Sequence, residues 1–168
     1  MSKQLKLKFC GGAGSVTGAN FLLSNENTKI LIDCGLEQGS KMAETTNWEA
    51  FPYDASEIDF LLITHSHIDH VGRIPKLVHE GFRGKIISTG ATRDIAEVML
   101  ADTANILSSS ESGKSFGLDK MYSENNIIQT FKLWESREYH KEFELTPDFK
   151  VNMKDAGHVL GSCMFEIS

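Results

Sequence analysis

Ile58-Asp59-Phe60-Leu61-Leu62-Ile63-Thr64-His65-Ser66-His67-Ile68-Asp69-His70 is the stretch on which the reading of this chain turns. After Asp59 it is apolar up to Thr64, as expected of a central strand covered on both faces. It then becomes abruptly polar, with three of the chain's six histidines inside six residues. In extended backbone His65 and His67 point to the same side, so two imidazoles can meet one metal ion. Asp69 and His70, on the turn that follows, add a carboxylate and a third imidazole. The position fits as well, because sites in α/β sheets gather at the C-terminal ends of strands. The rival explanation is a polar surface turn with chance histidines, and four ligand-competent groups in six residues weigh against it.

Working outward, strand and helix signals alternate along the whole length, which predicts an α/β domain. Leu5, Leu7 and Phe9 alternate with Lys6 and Lys8, so the first strand should be half exposed. Strands near Asn20–Leu23 and Lys29–Asp33 flank the turn-rich Ser24-Asn25-Glu26-Asn27 and form a hairpin. A short helix over Ile74–His79 ends at Gly81, and a strand follows at Lys85–Ser88. Thr89 or Thr92 can cap the next helix, in which Ile95, Met99 and Ile106 keep a roughly helical spacing. Ser108-Ser109-Ser110-Glu111-Ser112-Gly113 reads as a mobile loop. Another helix starts near Ser123 with Ile127, Phe131 and Trp134 as its buried stripe. Two strands, one with Tyr139, Phe143 and Leu145 and one with Phe149, Val151 and Met153, turn at Pro147-Asp148. A last strand occupies Cys163–Ile167.

With 168 residues and 40% hydrophobic content the chain can form one globular domain with a real core. No apolar run long enough for a membrane span and no signal peptide is evident, so a cytoplasmic protein is expected. Cys10, Cys34 and Cys163 include no C-x-x-C pair and read as small hydrophobes. The formal net charge of -6 and the lack of a basic stripe leave no broad nucleic-acid surface.

His158, in Asp155-Ala156-Gly157-His158-Val159-Leu160-Gly161, is the natural remote partner of the histidine run, since a catalytic zinc site typically takes three protein ligands plus water. Asp33 ends a strand. It can either make a turn with its own backbone or act as the carboxylate that orients a metal-bound histidine. His79 reads as a cap of its own helix and His140 as a polar strand residue. The glycine-rich Gly11–Gly18 segment lacks the Gly-Lys pair of a phosphate loop and the last glycine of a dinucleotide loop, so it reads as a flexible loop bordering the site.

Taken together, Asp33, the H-x-H-x-D-H run and His158 resemble the metallo-β-lactamase superfamily. More narrowly, the chain looks like the β-CASP branch of RNA-processing nucleases. The narrowing residues are Gly11-Gly12-Ala13 with Val16-Thr17-Gly18, Ile58-Asp59 leading into Thr64-His65, Ala91-Thr92-Arg93-Asp94, and Asp155 to Ser162. The resemblance implies the N-terminal half of an αββα sandwich, with a mixed, mostly antiparallel sheet and flanking helices. It implies two zinc ions, one on His65, His67 and His158 and one on Asp69 and His70, with Asp69 also aligning the nucleophile. Asp33 would support the histidines, and RNA would be the substrate.

The family's bridging Asp, its further His, the β-CASP insert and the second half of the sandwich have no counterpart in these residues. The expectation is therefore the N-terminal portion of a longer enzyme, weakly active or inactive alone, with a half-filled second metal site. A homo-oligomer is compatible with the sequence, and a membrane partner is not expected. Two other readings share the histidine run: a small-molecule metallo-hydrolase of the thioesterase, lactonase or phosphodiesterase type, and a non-catalytic zinc-binding remnant. Metal charge would do locally for RNA what a basic surface does elsewhere.

Overall fold

A computed structural model describes residues 4–39, 43–109 and 117–168. β1 (Lys6–Gly11), β2 (Asn20–Ser24), β3 (Lys29–Ile32), β4 (Phe60–Leu62), β5 (Lys85–Ser88) and β6 (Trp134–Ser136) form one sheet in that order. The pairings β1–β2 and β2–β3 are antiparallel, while β3–β4, β4–β5 and β5–β6 are parallel. β7 (Phe143–Thr146), β8 (Phe149–Asp155) and β9 (Cys163–Ile167) make a second sheet, antiparallel throughout. The helices are α1 (Ala43–Thr46), α2 (Ile68–Val71), α3 (Ile74–His79), α4 (Gly90–Ser109), α5 (Leu118–Met121) and α6 (Glu124–Lys132), with a 3-10 turn at Ala55–Glu57.

The apolar doublets of the central strands explain why β4 sits where it does. Successive side chains in a strand point to opposite faces. Leu31, Leu61 and Ile86 therefore join Val71, Ile74, Leu77, Phe82 and Leu100 under the helices. Their neighbours Ile30, Leu62 and Ile87 face the second sheet and meet Phe149 and Val151. Each such side chain contributes about 1.5–3 kcal/mol on full burial, so β4 is held from both sides and its polar C-terminal end is delivered to a defined place.

Five sequence expectations need correction. Leu5, just before β1, and Leu7 and Phe9 within it are exposed along with the lysines (58%, 52% and 60%). Leu7 lies opposite Leu23, the last strand residue on that side within the buried cluster between the sheets, so β1 sits beyond its cover. Trp134 belongs to β6, not to the preceding helix: Leu133 caps α6 while its carbonyl accepts from Ile86 N (2.9 Å), which draws the chain into the sheet. The indole still stacks on Phe131 at 5.2 Å and donates to Ser88 Oγ.

Ile106 is exposed, because the buried line of α4 is Thr92, Ala96 and Leu100. Tyr139 and His140 precede β7 and lie outside any strand, since His140 adopts a left-handed φ of 59° and its N–H bonds to Met153 O. Ser108 and Ser109 complete α4, and the rest of the expected loop, 110–113, lies outside the described residues.

Candidate metal centre

β4 ends at Leu62, and α2 begins at Ile68 directly after His67, whose φ/ψ of -60/148° are extended. His65 and His67 therefore project from the same strand end, as their spacing predicts. The shared feature behind them is Asp33, buried to 2% exposure at the end of β3 with a left-handed φ of 56°. Its carboxylate does not make a turn with its own backbone. Oδ1 accepts from Thr64 N at 2.8 Å, and Oδ2 accepts from Thr64 Oγ1 at 2.8 Å and pairs with His70 Nδ1 at 2.7 Å. Thr64 Oγ1 is also 3.0 Å from His65 Nδ1.

Donor and acceptor needs then fix the tautomers. With the threonine proton given to Asp33, the hydroxyl oxygen accepts Nδ1–H of His65, and the carboxylate accepts Nδ1–H of His70. Both rings are left with Nε2 as the free ligand atom. Sequence reasoning placed Asp33 here but had no reason to see Thr64 as the link. Its signal, a threonine directly before the first histidine, becomes readable only once β3 and β4 are known to be neighbours.

His65 Nε2 lies 3.2 Å from His67 Nδ1, and His158 Nε2 lies 3.3 Å from the same atom. The ligand atoms of His65, His67 and His158 all fall within 4.8 Å of one another, and the three rings meet nearly edge to face. Zinc holds imidazole nitrogens at about 2.0–2.1 Å in tetrahedral array, which separates neighbouring nitrogens by roughly 3.3–3.4 Å. The two spacings to His67 Nδ1 fit such an ion, and the third pair lies within 4.8 Å. Burial, together with the neighbouring His70, His67 and His158, pushes the pKa of His65 down to about 4, so its ring is neutral and available at neutral pH. For His70, burial pulls the other way, but the hydrogen bond and charge of Asp33, with Asp69, outweigh it and raise the value.

Asp69 Oδ2 is 3.6 Å from His70 Nε2, so these two expected partners stand side by side next to the three-histidine cluster, with the rings of His65 and His70 3.9 Å apart. The Asp69 backbone is fixed by Ala19 N, which ends the Gly11–Gly18 loop and donates to Asp69 O at 3.0 Å. That loop borders the site as expected. His79 instead contacts Asn126 at 3.2 Å and links α3 to α6, away from the cluster. Beside His158 an open cleft of about 380 Å³ is lined by Tyr139, Asp155, Val159 and Leu160, among others.

A family model described as the metallo-beta-lactamase superfamily domain matches residues 22–168. Among curated proteins, Ribonuclease TTHA0252 of Thermus thermophilus is 42% identical over 97 residues, 58% of this chain and 22% of that protein. Transcription termination factor FttA of Methanosarcina mazei is 32% identical over 157 residues, covering 92% of this chain and 23% of its own length. Endoribonuclease YSH1 of Candida albicans is 30% identical over 166 residues, covering 94% and 18% respectively. The chain thus spans less than a quarter of each of these three relatives.

Solved structures agree on the fold. A mutant metallo-beta-lactamase of Cronobacter sakazakii superposes with TM-score 0.56 at 15% identity over 96% of this chain and 54% of that one. A subclass B3 metallo-beta-lactamase of Bradyrhizobium japonicum gives 0.58 at 14% identity over 99% and 55%. At such identities the likeness is one of fold alone.

Proposed function

The chain belongs to the metallo-beta-lactamase superfamily, and on that footing we propose that it carries the metal-binding constellation of a zinc-dependent hydrolase that cleaves RNA phosphodiester bonds. The observation that carries this reading is the convergence of His65 Nε2, His67 Nδ1 and His158 Nε2 at 3.2–3.3 Å steps. The substrate class is supported by relatives named as a ribonuclease, an endoribonuclease and a transcription termination factor. The two ribonuclease names favour RNA over small thioesters or lactones.

In this reading His65, His67 and His158 hold one zinc, and Asp69 with His70 offers donors for a second. The bound metal would supply Lewis-acid charge for the phosphate oxygens and acidify a water. The chain's own residues do the rest. Asp33 and Thr64 hold Nδ1–H of His65 and His70 in place, so neither ring has to reorient to expose Nε2. Asp69, its carboxylate beside His70 and one-fifth exposed, would align the attacking water. Among the described residues no helix is long and apolar enough to cross a membrane. Free thiols at Cys10, Cys34 and Cys163 suit a reducing cytoplasm, where we place the protein.

Zinc titration of the purified chain against a chelating dye tests the reading. One equivalent should bind tightly, and His67→Ala, which removes the nitrogen common to both short contacts, should weaken it by at least about 100-fold. Absence of zinc binding by the unaltered chain, or equal binding by the variant, would overturn it. RNA and small-ester substrates offered to the zinc-loaded protein then separate the two substrate classes.

A further inference from the structure

His158 is the odd member of the cluster. It is 91 residues from His67 and sits in a loop whose residues from Ala156 to Leu160 are mostly exposed, Leu160 at 75%. Gly157 and Gly161 both take left-handed φ values, 65° and 86°, so the loop is flanked by two residues of unusual backbone freedom. Within the loop, Ser162 Oγ accepts from His158 N (3.1 Å) and Val159 N (3.2 Å), which shapes the turn without attaching it to the rest of the protein. Tyr139 Oη donates to Ser162 O at 2.8 Å from one side.

Cys163 N, just past the loop, donates to Thr64 O at 2.8 Å, and the further attachment, on the other side, is Gly161. Its carbonyl accepts two side-chain hydrogen bonds from the start of α4, Thr89 Oγ1 at 2.7 Å and Thr92 Oγ1 at 2.8 Å. Both threonines are buried, at 5% and 0% exposure, so water does not compete for the carbonyl. Helix capping explains only part of this. Thr89 caps α4 by accepting from Thr92 N at 3.2 Å. The Thr92 hydroxyl serves no cap, and it bonds to another element of the fold 69 residues away. The fit is close: a Cβ on Gly161 would lie 2.6 Å from Thr92 N and 2.7 Å from Thr89 Oγ1.

We propose that Thr89 and Thr92 are positioning residues for His158: by clamping the Gly161 carbonyl they hold its loop against His65 and His67 before any cation arrives. The inference rests on His158 being a metal ligand. A loop freed from this clamp would have to be ordered by the metal itself, and that ordering cost would appear as lost affinity.

The test compares Thr89→Val/Thr92→Val, which keeps shape and removes both hydroxyls, with Thr89→Ser/Thr92→Ser, which keeps them. Two measurements are made on each: zinc affinity by dye competition, and amide order of residues 157–161 in the metal-free chain by nitrogen-15 relaxation. The valine pair should bind zinc about tenfold more weakly and show loop amides with faster, larger motion, whereas the serine pair should match the unaltered protein on both counts. Unchanged affinity and unchanged loop order in the valine pair would overturn the proposal. If that pair does not fold, Thr92→Val, which leaves the Thr89 cap intact, and Gly161→Ala, which opens the clamp from the loop side, are read in the same way. Should the unaltered chain bind no zinc, the metal reading fails. The clamp is then judged on loop order alone, which loss in the valine but not the serine pair supports and equal order in both refutes.

Discussion

The turn that carries Asp69 and His70 and the loop that carries His158 bring their side chains to one cluster by different means. The turn is held by backbone. Ala19 N, Cys34 N and Leu36 N donate to the carbonyls of Asp69, His70 and Ile68 at 3.0, 2.8 and 3.1 Å, and Arg73 Nε braces Gly35 O at 2.6 Å. The loop is closed by backbone at its base, Ala156 N to Ser162 O at 3.2 Å and Cys163 N to Thr64 O at 2.8 Å, but its other grips are hydroxyls, those of Ser162, Thr89, Thr92 and Tyr139. A backbone grip is indifferent to most side chains but intolerant of one added carbon where two chains touch. A hydroxyl grip can be released one oxygen at a time without disturbing the core.

The largest effect expected from this contrast is at Gly35. A Cβ there would stand 1.5 Å from Asp69 O, with no flexible side chain to yield. Gly35→Ala should cost about 3–5 kcal/mol of folding stability, read from urea unfolding. A mild effect would mean that the turn is not held by its backbone contacts. Next is Asp33→Ala, which leaves Thr64 N, the Thr64 hydroxyl and His70 Nδ1 without their acceptor in a largely buried setting. A loss of about 3 kcal/mol is expected, with weakened zinc binding, whereas Asp33→Asn should recover part of the stability.

A smaller effect comes from pH, measured on the metal-free chain in the presence of a chelator. The folded pKa of His65 lies near 4, below its ordinary 6.5, because of burial and then of His70, His67 and His158, with Asp69 opposing them. Between those values the unfolded chain binds more protons, so stability falls as pH drops from about 6.5 toward 4. His70 works in the opposite sense. Its folded value is raised, so its contribution is complete below about 6.5 and is lost as pH climbs through the raised value. Together the pair predicts a urea midpoint that peaks near pH 6–7, and a midpoint flat from 7 to 4.5 would contradict the buried, crowded setting of His65. The smallest change is expected at the loop tip, where Leu160→Ser should alter stability by no more than about 0.5 kcal/mol.

Much of the fold is visible in the sequence because its signals are local. The strand at Lys85–Ser88, the helix at Ile74–His79 and the strand at Cys163–Ile167 all match their apolar spacing. Trp134 departs from its helical spacing for a physical reason: at i+3 from Phe131 it satisfies the helical pattern, and it does stack there, but pairing with β5 outcompetes one more helical turn. Ile106 shows the converse, a residue in helical register with the core that the helix carries past it. The roles of Thr64, Thr89 and Thr92 were legible only as a motif neighbour and as caps, because hydroxyl partners 31 to 72 residues away leave no periodic trace.

By itself the sequence determined the donor types, the same-side projection of His65 and His67, and the apolar doublets that bury β4 on two faces, all of which follow from the period of an extended chain. The sequence also points to His158 over His79 and His140, but only tertiary structure brought it into contact with His65 and His67, and only there was the choice between the two roles open to Asp33 made, by its pairing with His70. The reason is distance along the chain. Ring nitrogens brought to within 3.3 Å across 91 residues depend on how one sheet sits on the other, and no local spacing encodes that.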